Sequence, residues 1–170
     1  QGNLSMSVAA ENQDSATMYE VMKGTVSARE AIQHTPSCDI IPANTILAGI
    51  EQELHNVGKE MTLREKLRDE QTGVAEAYDY ILIDCPAGIE GGFHRAVASA
   101  EEAIVVTTPH ISSLRDADKV ISVLKSYKLK SVELVINMVR GDMIIDGEIL
   151  TPKEISDILK IPLIGIVPQD

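Results

Sequence analysis

Five short aliphatic runs alternate with helix-start signals along this chain, and that alternation constrains the fold more than any other feature. The runs are Cys38–Pro42 (CDIIP), Tyr78–Asp84 (YDYILID), Glu102–Thr108 (EAIVVTT), Val132–Val139 (VELVINMV) and Pro162–Val167 (PLIGIV). Each is strand-length and bounded by Pro, Gly or a polar turn. Between them stand capping boxes, in which a hydroxyl and a carboxylate three residues apart satisfy free amides at a helix start. They are Ser27/Glu30, Thr62/Glu65, Ser113/Asp116 and Thr151/Glu154, the last with Pro152 at the first helical position. Strands alternating with helices predict an α/β domain, a parallel sheet with helices on both faces. Aromatic residues are only 3% of the 170, with no Trp and one Phe, so Ile, Leu, Val, Ala and Met must build the core.

The predicted helices run over 14–22, 27–33, 45–56, from Thr62 toward Ala77, 92–100, Ser113 to about Tyr127, and Thr151 to Lys160. Gly24 and Gly58 serve as stops. Ile46, Leu47, Ile50 and Leu54 share one helical face. Residues 140–150 are the irregular stretch, read as a loop or as a small hairpin around Asp146-Gly147. One domain over 1–170 suits this length.

The net charge of −11 argues against non-specific binding of nucleic acid or anionic lipid by this piece. Lys119, Lys125, Lys128 and Lys130 read as a solvated helix end. Cys38 and Cys85 lack disulfide or metal spacing and read as buried reduced thiols. His34, His55, His94 and His110 share no spacing. No apolar run reaches membrane-span length.

In an open parallel sheet, ligands bind beyond the carboxyl ends of the strands. Asp84 ends the run Tyr80–Ile83, the form of a Walker B element, whose carboxylate orients Mg²⁺ through water. Gly88, four residues on, allows a backbone amide to approach a terminal phosphate. Asn137 offers a donor and an acceptor suited to an adenine edge, or is a polar turn residue. Arg140 covers a base or is solvated. The pattern GxxxxGK[ST] is absent: Gly58-Lys59 is followed by Glu60, and Lys23-Gly24-Thr25 fails as well.

The stretch YDYILIDCPAGIEGG (78–92) resembles the Walker B and switch II region of the MinD branch of the MinD/ParA family of deviant P-loop ATPases. The likeness continues through 100–121, 134–143 and 161–170. QGNLS (1–5) and IIPANTILAGIEQEL (40–54) resemble the ParA branch. The resemblance implies ATP and Mg²⁺ as cofactors, with Asp84 the Walker B aspartate and metal-orienting group. It implies that Gly88 senses the γ-phosphate, that Asn137 contacts adenine, and that Pro168 helps close the base pocket. Gln1, Gly2 and Asn3 would belong to switch I. Ser112, Ser113, Arg115 and Asp116 would form the surface used by a regulatory protein partner and in an ATP-bound homodimer. The Walker A loop would stand ahead of Gln1, on a strand lying mid-sheet beside Tyr78–Asp84. This piece by itself is then not expected to hydrolyse ATP, and exposed apolar strand edges are expected. Membrane or DNA contact would come through other segments of the complete protein, a cytoplasmic switch peripheral to membrane or nucleoid. The function implied is positioning of the division site or partition of DNA. The alternative is a non-catalytic interaction module.

Overall fold

The computed structural model describes residues 3–8, 10, 15–54, 58–85 and 88–169. It divides into two compact units, Gln1–Ser99 and Ala100–Asp170.

In the first unit, α1 (Asn3–Ser7) precedes α2 (Met18–Lys23). Helix α2 is capped by Thr17, which with Glu20 forms a full capping box. It ends at Gly24, whose φ of 75° is left-handed, as expected of a helix stop. The Ser27–Glu30 box also forms, with Ser27 N–H and Oγ both donating to Glu30 Oε2 at 3.0 and 2.7 Å. It closes only a turn and not the predicted helix, because the chain leaves at once into β1 (Gln33–His34). Strand β1 pairs antiparallel with β2 (Asp39–Ile40), so the run Cys38–Pro42 supplies a two-residue ribbon. Beyond it, the buried Pro42 has no amide for a ladder, and its carbonyl accepts Met18 N–H at 2.8 Å.

The predicted 45–56 helix is instead a 3₁₀ turn, Thr45–Gly49, followed by α3 (Ile50–Glu53). Asn44 caps the turn through Ile46 N–H at 3.0 Å. Three residues per turn do not keep a 3.6-residue face together, so Ile50 is buried while Ile46 is exposed. A side-chain tie joins α2 to α3: Tyr19 OH donates to Glu53 Oε1 at 2.7 Å, and Lys23 Nζ meets Oε2 at 2.9 Å.

Helix α4 (Thr62–Arg68) follows another 3₁₀ turn, Lys59–Met61, so Thr62 is not its cap. The helix stops well short of Ala77. The carboxylate of Asp69 accepts Gln71 N–H, Thr72 N–H and Thr72 Oγ1–H at 3.0, 2.7 and 2.7 Å, a local alternative to continuing the helix. Helix α5 (Gly91–Ser99) lies within one residue of its predicted bounds. The core of this unit gathers Val21, Met22, Ile50, Leu63, Leu67 and Val74.

The second unit is a parallel three-stranded sheet of order β3 (Glu102–Thr107), β4 (Ser131–Val139), β5 (Leu163–Pro168). The strands are linked through α6 (Ile111–Leu124), then α7 (Gly141–Ile145) and α8 (Pro152–Leu159). This is the α/β class with a parallel sheet that the pattern predicts. Paired residues Val105/Leu134 and Thr107/Ile136 share one side of the sheet and are buried. From the helices, Ile121, Leu124, Ile155 and Leu159 are buried as well. On the opposite side, Ile104 and Val106 are exposed.

The stretch 140–150 contains the short helix α7 rather than a hairpin, with Gly147 at φ 73° just beyond it. Helix α6 begins at Ile111 with His110 at the N-cap position, three residues before the predicted cap Ser113, and His110 provides no side-chain cap. Helix α8 matches its signal: Thr151 Oγ1 accepts Glu154 N–H, Glu154 takes Thr151 N–H at 2.8 Å, and Pro152 follows. Replacing Thr151 by Ala should cost about 1 kcal/mol. Urea unfolding of the variant should show it, and a loss below about 0.3 kcal/mol would mean the box does not hold the helix start.

Candidate functional site

The strongest predicted strand, Tyr78–Asp84, has no strand assignment. Among the described residues no segment pairs with it, and an extended chain becomes a strand only through a neighbour's amides and carbonyls. Tyr78 and Ile83 pack on the core of the first unit, while Tyr80 and Leu82 are 87% and 88% exposed. Asp84, at the end of the run, presents an exposed carboxylate. Pro86 and Ala87 lie outside the described residues. Gly88 has φ 92°, a conformation open to glycine, and a Cβ there would meet nothing within 4 Å. An exposed carboxylate followed by a glycine with clear space fits the oxygen ligand and close backbone approach that a hydrated Mg²⁺ and a phosphate require.

Cys85 and Cys38 are exposed, not buried as expected. Atoms packed about the Cys85 sulfur, and secondarily the Asp84 charge, push its thiol above the ordinary range. Gln1 and Gly2 lie outside the described residues, and of Asn3 only the backbone, at the start of α1, is described. His55 also lies outside them.

In the second unit the parallel strands bring their carboxyl ends to one edge of the sheet. At β4, Asn137 and Met138 form an irregularity between the Ile136 and Val139 pairings. Met138 has φ 57°, rare for a non-glycine residue, and its N–H donates to Asn137 Oδ1 at 2.9 Å. The side-chain carbonyl of Asn137 is therefore engaged by its own backbone, and its amide N–H₂ is the group suited to an incoming acceptor. Such bulges and left-handed residues concentrate at functional sites. Nothing in the letters Asn-Met signals this one. Pro168 pairs with Val139, and Gln169 N–H donates to Val139 O at 3.0 Å, so Pro168 stands beside the Asn137 bulge.

Arg140 is paired rather than solvated. Its Nη2 lies 2.5 Å from Asp142 Oδ2 and its Nε 3.3 Å from Oδ1. The Arg140 guanidinium holds the Asp142 carboxyl below the usual range, and the carboxylate raises Arg140 in return.

At the same sheet edge, the start of α6 carries the predicted partner residues. Ser112, Arg115 and Asp116 are exposed. The predicted Ser113/Asp116 box does not form, because the helix already starts at Ile111. Ser113 Oγ instead accepts Thr108 Oγ1–H at 2.8 Å, and Asp116 pairs with Lys119 at 3.0 Å. Lys130 is likewise not free but bridges to Glu101.

A family model described as an AAA domain matches residues 1–137. The chain belongs to the MinD/ParA family of P-loop ATPases. The "Putative septum site-determining protein MinD" of Guillardia theta is 36% identical over 171 residues, covering 99% of this chain and 60% of that protein. That of Oltmannsiellopsis viridis is 50% identical over 95 residues, covering 56% of this chain and 30% of the relative. Among solved structures, the MinD cell division protein of Aquifex aeolicus superposes with a TM-score of 0.79 at 32% identity, over 100% of this chain and 66% of that one. The same organism's MinC:MinD complex gives 0.78 at 32%, over 99% and 65%. The Pyrococcus horikoshii MinD complexed with Mg-ADP gives 0.78 at 29%, over 100% and 65%. The MinD likeness thus runs through the N-terminal half as well as the C-terminal half. The chain spans about 60% of the length of the curated relatives it matches.

Proposed function

We propose that this chain is the greater part of a MinD-like nucleotide switch, an ATPase that takes part in placing the division site. The observation that carries the reading is the likeness to septum site-determining proteins along 99% of the chain, joined to residues of the right chemistry at the expected positions. Asp84 would orient a Mg²⁺ that neutralises phosphate charge, and the amide at Gly88 would meet the terminal phosphate. The free donors of Asn137 would take an acceptor on the adenine edge, with Pro168 beside them. Arg140 would have to exchange Asp142 for the base. Ser112, Arg115 and Asp116 would form the surface read by a regulatory protein, in keeping with the MinC:MinD complex of a structural neighbour. The exposed start of α6 would serve that role equally in a non-catalytic interaction module.

Calorimetry with Mg-ATP tests this, on the 170-residue chain and on a version carrying a Walker A loop ahead of Gln1. The longer version should bind and the shorter should not, since no GxxxxGK[ST] loop lies within its sequence. In the longer version, Asp84→Asn should weaken Mg²⁺-dependent binding at least about ten-fold, the scale of one charge-assisted contact. Absence of binding by both would leave the interaction-module reading. ATP turnover by the shorter chain would overturn the assignment of the phosphate grip.

A further inference from the structure

We propose that the left-handed Met138 is a positioning residue that fixes which end of the Asn137 side chain faces a purine base, so that Asn137 reads a ring acceptor and not the exocyclic amino group. The inference rests on the nucleotide reading and adds to it how the base is read.

Strand β4 bulges at this point. Ile136 pairs with Ile166 and Val139 with Pro168, so Asn137 and Met138 stand opposite the single Val167. On the other side, the pairing with β3 ends at Ile136, the partner of Thr107. The Met138 N–H therefore has no ladder carbonyl to donate to, and a backbone donor left unmade is costly. Asn137 supplies the acceptor, its Oδ1 taking the Met138 N–H at 2.9 Å. Met138 meanwhile holds φ 57°, a conformation unfavourable for a residue with a side chain. Of the two ends of an amide only the oxygen can accept an N–H, so the backbone settles the orientation of the Asn137 side chain. Both hydrogens on Nδ2 then point away from the bond, and Nδ2 has no partner among the described residues. Asn137 is half-buried, at the carboxyl end of the central strand beside Pro168.

The chemistry of recognition follows from that orientation. A purine edge carries ring nitrogens that accept, and adenine adds an N6 amino group that donates. A freely turning Asn could meet both with its two ends. Here the oxygen is occupied, and a group that offers donors alone can hold a ring nitrogen but gives nothing to N6. Asn137 thus selects a base with an acceptor in reach and is indifferent to the amino group. Met138 governs this through its backbone. Glycine holds a positive φ without strain, whereas a β-branched residue resists it. Met138→Val therefore draws the N–H off the Asn137 oxygen and frees the amide to turn; Met138→Gly leaves the bond in place.

Two nucleotides separate the roles: ATP, and the triphosphate of purine riboside, which keeps the ring nitrogens and lacks the amino group. Calorimetry with Mg²⁺ on the longer version, with its Walker A loop, should show Asn137→Ala weakening both by the same factor, about five-fold, the scale of one hydrogen bond. The preference for ATP over the analogue should be about three-fold greater in Met138→Val than in Met138→Gly, because the freed oxygen can reach the amino group. In the 170-residue chain without nucleotide, the Met138 N–H followed by NMR should exchange with deuterium about ten-fold faster in Asn137→Ala than in wild type. A loss on Asn137→Ala for ATP alone, or for neither nucleotide, would overturn the proposal and leave the nucleotide reading standing. So would equal preference in the two Met138 variants, or equal exchange of the Met138 N–H in the two chains. Binding of neither nucleotide by the longer version without substitutions would overturn the nucleotide reading and the proposal with it.

Discussion

Gly73→Ala should destabilise the first unit by about 3 kcal/mol, the upper end for overpacking, with a fall in midpoint of at least about 12 °C. Gly73 is buried in the turn after α4. A Cβ placed there would lie 2.5 Å from Asp69 O, 2.6 Å from Leu67 O and 2.7 Å from Asp69 N. All three are backbone atoms, so no side chain can swing aside. Nor can the backbone yield cheaply. Leu67 O already accepts Val74 and Ala75 N–H at 2.9 Å, and Gly73 O accepts Arg29 Nε at 2.8 Å. Moving Gly73 therefore breaks the end of α4 and its link to the Ser27–Glu30 turn together. Urea unfolding followed by circular dichroism decides the matter; a loss under about 1 kcal/mol would show that the turn can expand.

Leu134→Ala should cost the second unit about 3 kcal/mol, within the range for a fully buried leucine whose site cannot collapse. Leu134 is 0% exposed on the central strand, paired with Val105 on one side and Leu163 on the other. Its neighbours on two strands are fixed by ladder hydrogen bonds, so a cavity would persist. The informative control is Ile104→Ala on β3. Ile104 is one residue out of phase with Val105, on the opposite side of the sheet, and 55% exposed. Its loss should stay under about 1 kcal/mol. Equal losses at the two sites would mean that both sides of the sheet are covered in solution.

That contrast marks where reading the letters stops. EAIVVTT carries the same aliphatic signal at Ile104 as at Val105, because a run without polar alternation does not say which face is packed. Helix edges were more legible where the signal was local. The Thr151 box with Pro152 formed as written, since every partner lies within three residues. Ser113/Asp116 has the same spacing and made no box. Thr108 took the Ser113 hydroxyl and Lys119 the Asp116 carboxylate, competitors a linear pattern does not weigh. Thr62 failed similarly, displaced by the 3₁₀ turn before it.

The candidate site divides in the same way. Asp84, Gly88, Asn137 and Pro168 could be named from position, as residues at or just past the ends of aliphatic runs. The left-handed Met138, the capture of the Asn137 carbonyl and the pairing of Arg140 with Asp142 could not be.

By itself the sequence determined the α/β class, the family and the net acidic charge. These follow from hydrophobic period, turn residues, long motifs and composition, all properties of neighbouring letters or of their sum. The tertiary structure decided which runs become strands. EAIVVTT, VELVINMV and PLIGIV found partners and formed a sheet, while YDYILID, the most strand-like of the five, has no ladder among the described residues. A strand is not a property of its own residues, because the hydrogen bonds that define it are made by another segment.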